Sequence, residues 1–402
     1  MPIFGILRIF VKKENIVLFI ASNMYRYSGN TKYLYQYFNT HSNDKCYWIT
    51  ESKEVINHLK TLNYRYISND NPFKKLFVIL KSKVIYSSGT SFYDPFGLIS
   101  NDKNIIKICT MHGTGPKLTI ERSNDVKKTL KLISDINSYD FISLSTEYAR
   151  DIIGFNQLVL PKSKIKILGT PKQDALLDEK YIQKKYNEKN IIKNIFGSKY
   201  KNQKIIYYTP TFRDYKSTLP LIDISEFNEN DFNKFLTENN LLFLYSYHSM
   251  SNFNMGLKET DNIRFIDNNE NHLFDNIELM TEIDLLVGDY STLSTDFSIL
   301  NKPQLFIIPD YKQINDTKGF AEDLRKMMPG KEISTYQELC INILKNINNV
   351  QSYLKEFNEN ISELSRKYIE DRKLTSCEKF LRFHNDIKTV SYTHLTLPTT
   401  EA

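Results

Sequence analysis

Apolar residues recur in short runs along the first half of the chain, separated by segments of helical period. Glu14–Ser22 (ENIVLFIAS) reads as a buried strand and Gly29–Phe38 (GNTKYLYQYF) as a helix. Cys46–Thr50, Lys83–Ser88, Asn104–Met111, Asp140–Ser145 and Lys164–Thr170 (KIKILGT) read as further strands. Runs apolar on both faces, with helical segments between them, predict a parallel sheet joined by crossovers. The stretch from Asp178 to Lys204 is polar and lysine-rich and reads as a largely helical connection. The alternation then resumes. Lys204–Thr209, Leu241–Tyr247, Asn262–Ile266, Ile283–Val287 and Gln304–Ile308 are expected strands. Glu226–Asn239, His272–Met280 and Ser294–Leu300 are expected helices, and Ser334–Asn348 and Ser352–Ile369 surface helices.

The pattern predicts an α/β protein of two Rossmann-like lobes in a glycosyltransferase-B arrangement, with the active site in the interdomain cleft at the strands' carboxyl ends. The expected divisions are a short start (1–13), an N-terminal α/β domain (14–177), a connection (178–203), a C-terminal α/β domain (204–388) and a non-native or disordered tail (389–402). The tail, TVSYTHLTLPTTEA, is threonine-rich and aperiodic. In the start, Ile3, Ile6, Leu7 and Phe10 recur at helical spacing with Arg8, Lys12 and Lys13 toward another face. That segment reads equally as an interfacial helix or as one packed on its own domain.

Composition narrows the class. A formal charge of +6 over 402 residues is too mild for a nucleic-acid-binding tail and suits an anionic substrate or membrane surface. Cys46, Cys109, Cys340 and Cys377 lie far apart with no CxxC pair, so neither a disulfide framework nor a zinc site is expected, and a reducing, cytoplasmic setting is. No run approaches the roughly 18 apolar residues of a membrane span. Arg8 interrupts the one candidate signal sequence.

Three motifs fall at expected strand ends. Met111-His112-Gly113-Thr114-Gly115-Pro116-Lys117 puts an imidazole and two permissive glycines at a sheet edge, where a proton acceptor and close backbone approach to an anion are both useful. Thr209-Pro210-Thr211-Phe212-Arg213-Asp214 offers a guanidinium that either grips phosphate or pairs with Asp214. Gly288-Asp289-Tyr290-Ser291-Thr292 opens a helix containing Asp296, and its hydroxyls suit either an N-cap or a phosphate. His248 ends another strand. Together these residues have the composition of a diphosphate pocket with no metal cluster.

HGTGPK, TPTFRD and GDYSTLSTDFSILNKP, in this order and spacing, resemble the signature blocks of the CDP-glycerol glycerophosphotransferase family. SGNTKYLYQYF, ILGTPKQDAL and KGFAEDLRKMMPG support the resemblance, which spans roughly residues 15 to 380. It departs from the family at Ser246, Ser249 and Gly288, where a basic residue, a proline and a threonine are usual. The resemblance implies transfer of glycerol phosphate, or a related alditol phosphate, from a CDP-alditol donor to a hydroxyl of a lipid-linked wall or capsule polymer, with release of CMP. It implies no metal or other cofactor. His112 would be the catalytic base. Gly113, Thr114, Thr211, Arg213, His248, Ser291 and Thr292 would hold the donor, and Asp289 and Asp296 would organise the helix start or touch the nucleotide. Lys117, Arg122, Lys127, Lys128 and Lys131 would guide an anionic acceptor or lipid head groups, or form a solvated face. The implied location is peripheral, on the inner face of the cell membrane. The rival readings are a nucleotide-sugar glycosyltransferase of the same fold and an inactive nucleotide-binding scaffold.

Overall fold

A computed structural model describes residues 11–89, 99, 102–113, 115–122, 125–211, 213, 220–247, 257–267, 271–369 and 373–394, with backbone alone at 247 and 389–394. Most of the expected start, Thr114, His248 and the tail from 395 lie outside the described residues.

The first lobe is a seven-stranded parallel sheet. Its strands are β1 (Ile16–Ile20), β2 (Lys45–Ile49), β3 (Tyr66–Ile67), β4 (Val84–Ser87), β5 (Ile106–Cys109), β6 (Phe141–Leu144) and β7 (Ile165–Ile167), in the order β3-β2-β1-β4-β5-β6-β7. All five residues of β1 are buried, because the sheet is covered on both faces. Val17 and Phe19 pack with helices Asn30–His41 and Lys53–Thr61. Ile16, Leu18 and Ile20 pack with helix Pro72–Lys81 on the other face.

The second lobe is a six-stranded parallel sheet of β8 (Lys204–Tyr208), β9 (Leu241–Tyr247), β10 (Ile263–Asp267), β11 (Leu285–Gly288), β12 (Gln304–Phe306) and β13 (Lys331–Glu332). Its order is β10-β9-β8-β11-β12-β13. Both sheets therefore reverse direction beside their first strand, at β1/β4 and β8/β11. A crevice opens at such a reversal, outside the strands' carboxyl ends. The second and third motifs end β8 and β11. The first motif ends β5, the neighbour of β4.

The expected strands are present: β9 has the expected bounds, β2, β10 and β11 are displaced by a residue or two, and the others are shortened at their ends. The connection is helical over Glu179–Glu188 and Asn190–Phe196. The two-residue strands β3 and β13 and helices Tyr311–Thr317 and Ser376–His394 were not expected from sequence. One boundary departs from expectation. Helix Ser376–His394 leaves the second lobe and packs on the first, where Cys377, Phe380 and Ile387 join the core beneath β1 and β4. Its backbone also runs six residues past Lys388, so the change of composition there does not end the helix.

The lobes are tied together near the connection. Lys32 pairs with Asp275 at 3.0 Å and with Glu278 at 2.8 Å, and Tyr33 donates to Asp275.

Candidate active site

β5 ends in a turn that is costly for its residues. Met111 has φ 53°, a left-handed conformation that disfavours a side-chain-bearing residue by about 1–2 kcal/mol. Its side chain is nonetheless buried, packed in the cluster of Cys109, Ile136 and Leu144. The turn is held by Asn30, whose Nδ2 donates to the carbonyls of Thr110 and Met111 at 2.9 Å each. The next residue, His112, is exposed to solvent, while the protein packed about its ring still desolvates it. That enclosure, then the charges of Lys172 and Lys117, push its pKa down to about 4. The imidazole is therefore neutral near pH 7 and available to accept a proton.

Gly113 and Gly115 lay this loop directly on the third motif. A Cβ on Gly113 would stand 3.1 Å from Thr292 Oγ1. One on Gly115 would stand 3.0 Å from Thr292 Cγ2 and 3.2 Å from Thr295 Oγ1. The following residues bridge to the second lobe. Lys117 pairs with Phe320 in an antiparallel bridge, Leu118 N donates to Gly319 O at 3.1 Å, and Ala321 N donates to Pro116 O at 2.9 Å. The KGFAED segment thus clamps the first motif from across the interface.

Arg213 is not placed as a phosphate ligand. Its side chain has no exposed surface, and every guanidinium nitrogen is engaged. Nε donates to Asp310 at 2.5 Å and Nη2 to the same carboxylate at 3.1 Å. Nη1 donates to Asp289 at 2.8 Å and to Thr211 O at 2.7 Å. The Tyr290 ring lies against it, and the Tyr290 hydroxyl donates to Asp310 at 2.9 Å. An ion pair was one reading of the motif, but the partners here are Asp289 and Asp310. Asp214 lies outside the described residues. Thr211 serves the same network, donating to Asp289 through N and Oγ1 at 2.7 Å each. Asp289 thereby ties the ends of β8 and β11 together across the reversal.

Asp296 is also engaged. Buried in helix Leu293–Ser298, it pairs with Lys172 Nζ at 2.6 Å and accepts from Gln173 Nε2 at 2.9 Å. Both partners open helix Pro171–Leu177 of the first lobe, so Asp296 is an interlobe clamp rather than a group facing a nucleotide. Ser291, just before the N-cap Thr292, accepts through Oγ from Leu293 N at 3.2 Å. Thr292 is half-buried beside Gly113.

Three lysines surround this point. Lys172 pairs with Asp296, and Lys318 lies 3.8 Å from Glu121. Lys117 has no carboxylate within ion-pair distance among the described residues. Its enclosure, and then Lys318, push its pKa down against the pull of Asp289 and Glu121. It is the better-placed cation for an incoming anion, because an enclosed ammonium without a counter-charge gains most from one.

A separate cavity of about 770 Å³ lies beside β10, lined by Glu54, Glu259, Asp267, Asp275 and Glu278. Its carboxylates would repel a diphosphate. No group of three or more His, Cys, Asp or Glu side chains arranged for a metal occurs among the described residues.

Asn30, Lys172 and Asp310 were not singled out from sequence. The first two lie in the supporting blocks SGNTKYLYQYF and ILGTPKQDAL, which offered a signal. Asp310 follows β12 in an otherwise plain IIPDY and offered none.

Residues 3–376 match the family described as CDP-Glycerol:Poly(glycerophosphate) glycerophosphotransferase. The teichoic acid ribitol-phosphate polymerase TarL of Staphylococcus aureus is 24% identical over 335 residues, 82% of this chain and 56% of that protein. The teichoic acid glycerol-phosphate primase of Bacillus subtilis is 28% identical over 268 residues, 64% of each. The chain thus spans less than two thirds of these relatives' length. Among solved structures, the H444N variant of the wall teichoic acid polymerase TagF superposes with a TM-score of 0.73 at 20% identity, covering 97% of this chain and 93% of that one.

Proposed function

We propose, on the premise that this chain belongs to the CDP-glycerol:poly(glycerophosphate) glycerophosphotransferase family, that it transfers glycerol phosphate or a related alditol phosphate from a CDP-alditol to a hydroxyl of a lipid-linked wall or capsule polymer. The acceptor oxygen attacks the β-phosphorus and its proton passes to His112. The bond from the β-phosphorus to the bridging oxygen breaks, and CMP departs with that electron pair. The observation that carries this reading is the loop after His112 laid on the third motif, with Gly113 and Gly115 against Thr292 and Lys117 bridging to Phe320. A base, a cation and a hydroxyl thus meet where the two sheets' carboxyl ends converge. Lys117, with Ser291 and Thr292, takes the donor diphosphate. Arg213, Asp289, Thr211 and Asp296 shape the pocket from behind. Thr114 and His248 keep the donor-side roles that the resemblance implies. The reaction is mainly positioning and charge stabilisation, and the reading assigns it no resident metal.

A panel of CDP-alditols with CMP release as readout, with and without lipid-linked acceptor, tests the proposal. CMP release that requires acceptor and persists in EDTA is expected. Sugar transfer from a UDP- or GDP-sugar instead would establish the glycosyltransferase reading, and CDP-glycerol binding without turnover the scaffold reading. Loss in EDTA restored by a divalent ion would overturn the metal-free part.

We further propose that the chain works peripherally on the anionic inner face of the cell membrane. No helix among the described residues is long and apolar enough to cross one. Helix Val126–Asn137, however, carries Val126 and Leu130 at 71% and 61% exposure beside Lys127, Lys128 and Lys131. Helix Pro72–Lys81, on the same face of the first sheet, exposes Phe73 and Phe77. Apolar residues among lysines suit an anionic lipid interface.

A further inference from the structure

We propose that Asn30 is a positioning residue that aims His112 into the cleft; this rests on the reading of His112 as the base. Asn30 opens helix Asn30–His41, directly after Gly29, whose φ is 74°. Its side chain is buried, at 1% exposure. Nδ2 donates to Thr110 O and Met111 O at 2.9 Å each, and Oδ1 accepts from Lys172 N at 3.2 Å. Two donors and one acceptor in a plane of this size describe an asparagine amide. Aspartate keeps the volume and the acceptor but turns a third oxygen toward two carbonyls, and an aliphatic side chain satisfies none of the three groups.

The bonds fall where the backbone needs them. Met111 has no glycine's freedom, yet its φ is 53°. The peptide that leaves it carries His112, so whatever fixes the Met111 carbonyl fixes the direction in which the imidazole departs. Without those bonds the turn relaxes toward extended backbone and swings the ring from its place. The same amide holds the N–H of Lys172, whose ammonium lies 3.6 Å from the place of a Cβ on Gly113. One side chain therefore sets the base, and its spacing from the nearest paired cation, while touching no reacting atom itself.

The test compares Asn30→Ala and Asn30→Asp with Leu34→Ala, a core truncation in the same helix. Three readouts are followed: melting temperature, the kcat and KM for CDP-glycerol, and the His112 ring titration by NMR, assigned by its loss in His112→Ala. Both Asn30 variants are expected to lower kcat on the order of tenfold to a hundredfold with KM little changed, the cost of misplacing a reacting group. The ring titration should move up from about 4 toward the ordinary ~6.5. Leu34→Ala should lower the melting temperature and move neither of the others. Should Asn30→Ala not fold, Asn30→Asp carries both arms. Asn30 variants that follow Leu34→Ala in kcat and titration at equal loss of melting temperature overturn the inference. If His112→Ala itself keeps normal turnover, the base reading falls, and the titration arm still decides whether Asn30 aims the ring.

Discussion

A histidine that titrates near 4 is neutral across the physiological range, but it is also a weak base, and the donor changes that. Diphosphate brought beside the imidazole adds negative charge that favours the protonated form, opposing the lysines that disfavour it. The acid limb of kcat/KM, which reports the free enzyme, should lie near pH 4. The limb of kcat, which reports the complex, should lie about one unit or more higher. His112→Ala should abolish both limbs and lower kcat roughly 100-fold or more. Limbs that coincide near the ordinary histidine value would show that neither enclosure nor donor acts on this ring. Arg213 calls for a different experiment. Truncating it leaves Asp289 buried without its counter-charge, which costs about 3–5 kcal/mol. Arg213→Ala should therefore lower the denaturation midpoint strongly, and Arg213→Lys should not restore the two-sided grip on Asp310 and Asp289. A normal midpoint with lost donor affinity would return Arg213 to the role of phosphate ligand. The residue types of this site were legible in the sequence, as was the choice between ligand and ion pair at Arg213. The partner was not, because Asp310 lies nearly a hundred positions away, and only the fold of the second sheet brings it alongside.

At the scale of elements, the site depends on two glycines of a loop lying against a helix start. Adding a methyl at Gly115 drives it against Thr292 Cγ2 at 3.0 Å. Thr292 opens helix Leu293–Ser298, whose residues from Ser294 onward are buried and leave it little room to retreat, so Gly115→Ala should push His112 from its place and lower kcat on the order of tenfold. Thr292→Ser removes the opposing methyl and keeps the hydroxyl. The double variant should recover much of the loss, and kinetics on the four proteins of the cycle measure that coupling. Additive losses would mean that the two motifs do not press on each other. Helix Val126–Asn137 makes a separate prediction. Leu130→Glu should weaken sedimentation with anionic vesicles at low salt and leave CMP release from a soluble acceptor analogue intact. Binding that persists in high salt and in this variant would exclude the helix. Strand and helix identities were readable because both sheets are buried on both faces, and continuous apolar runs announce that. The strands β3 and β13, of two residues each, carry too little pattern to register.

At the scale of the whole molecule, the chain's return to its first lobe makes the final prediction. Helix Ser376–His394 was legible neither as a helix nor as part of the first lobe, since periodicity reports which face is buried and not which neighbour buries it. Cys377, Phe380 and Ile387 are buried there, and fully burying a large apolar side chain such as Phe or Ile contributes about 1.5–3 kcal/mol. Asp174 accepts from Ser376 N and Cys377 N at 3.0 and 2.8 Å, fastening the helix start beside the connection. Further along, His384 Nε2 lies 2.9 Å from Asp44 and its Nδ1 3.1 Å from the Tyr86 hydroxyl, while Lys388 reaches Asp44 at 2.6 Å. Burial alone would raise the pKa of Asp44, but the bonds from His384, Lys388 and Ser42 outweigh it and hold the carboxyl well below its usual range. Its contribution is present above the unfolded value near 3.9 and is lost as pH falls through that range. Burial holds the His384 pKa below its ordinary value. The unfolded chain then binds that proton more readily, and stability falls as pH drops below about 6.5. Both groups act in the same direction, so acid loosens this helix. A chain ending at Lys388 keeps every one of these contacts and should keep its melting temperature, its activity and its acid response. One ending at Thr375 should lose several kcal/mol of stability and the part of the acid response that belongs to His384. Denaturant titrations of the three chains at pH 7.5 and pH 5 decide it. A chain ending at Thr375 that melts like the full one at both pH values would mean that the returning helix does not hold the first lobe together.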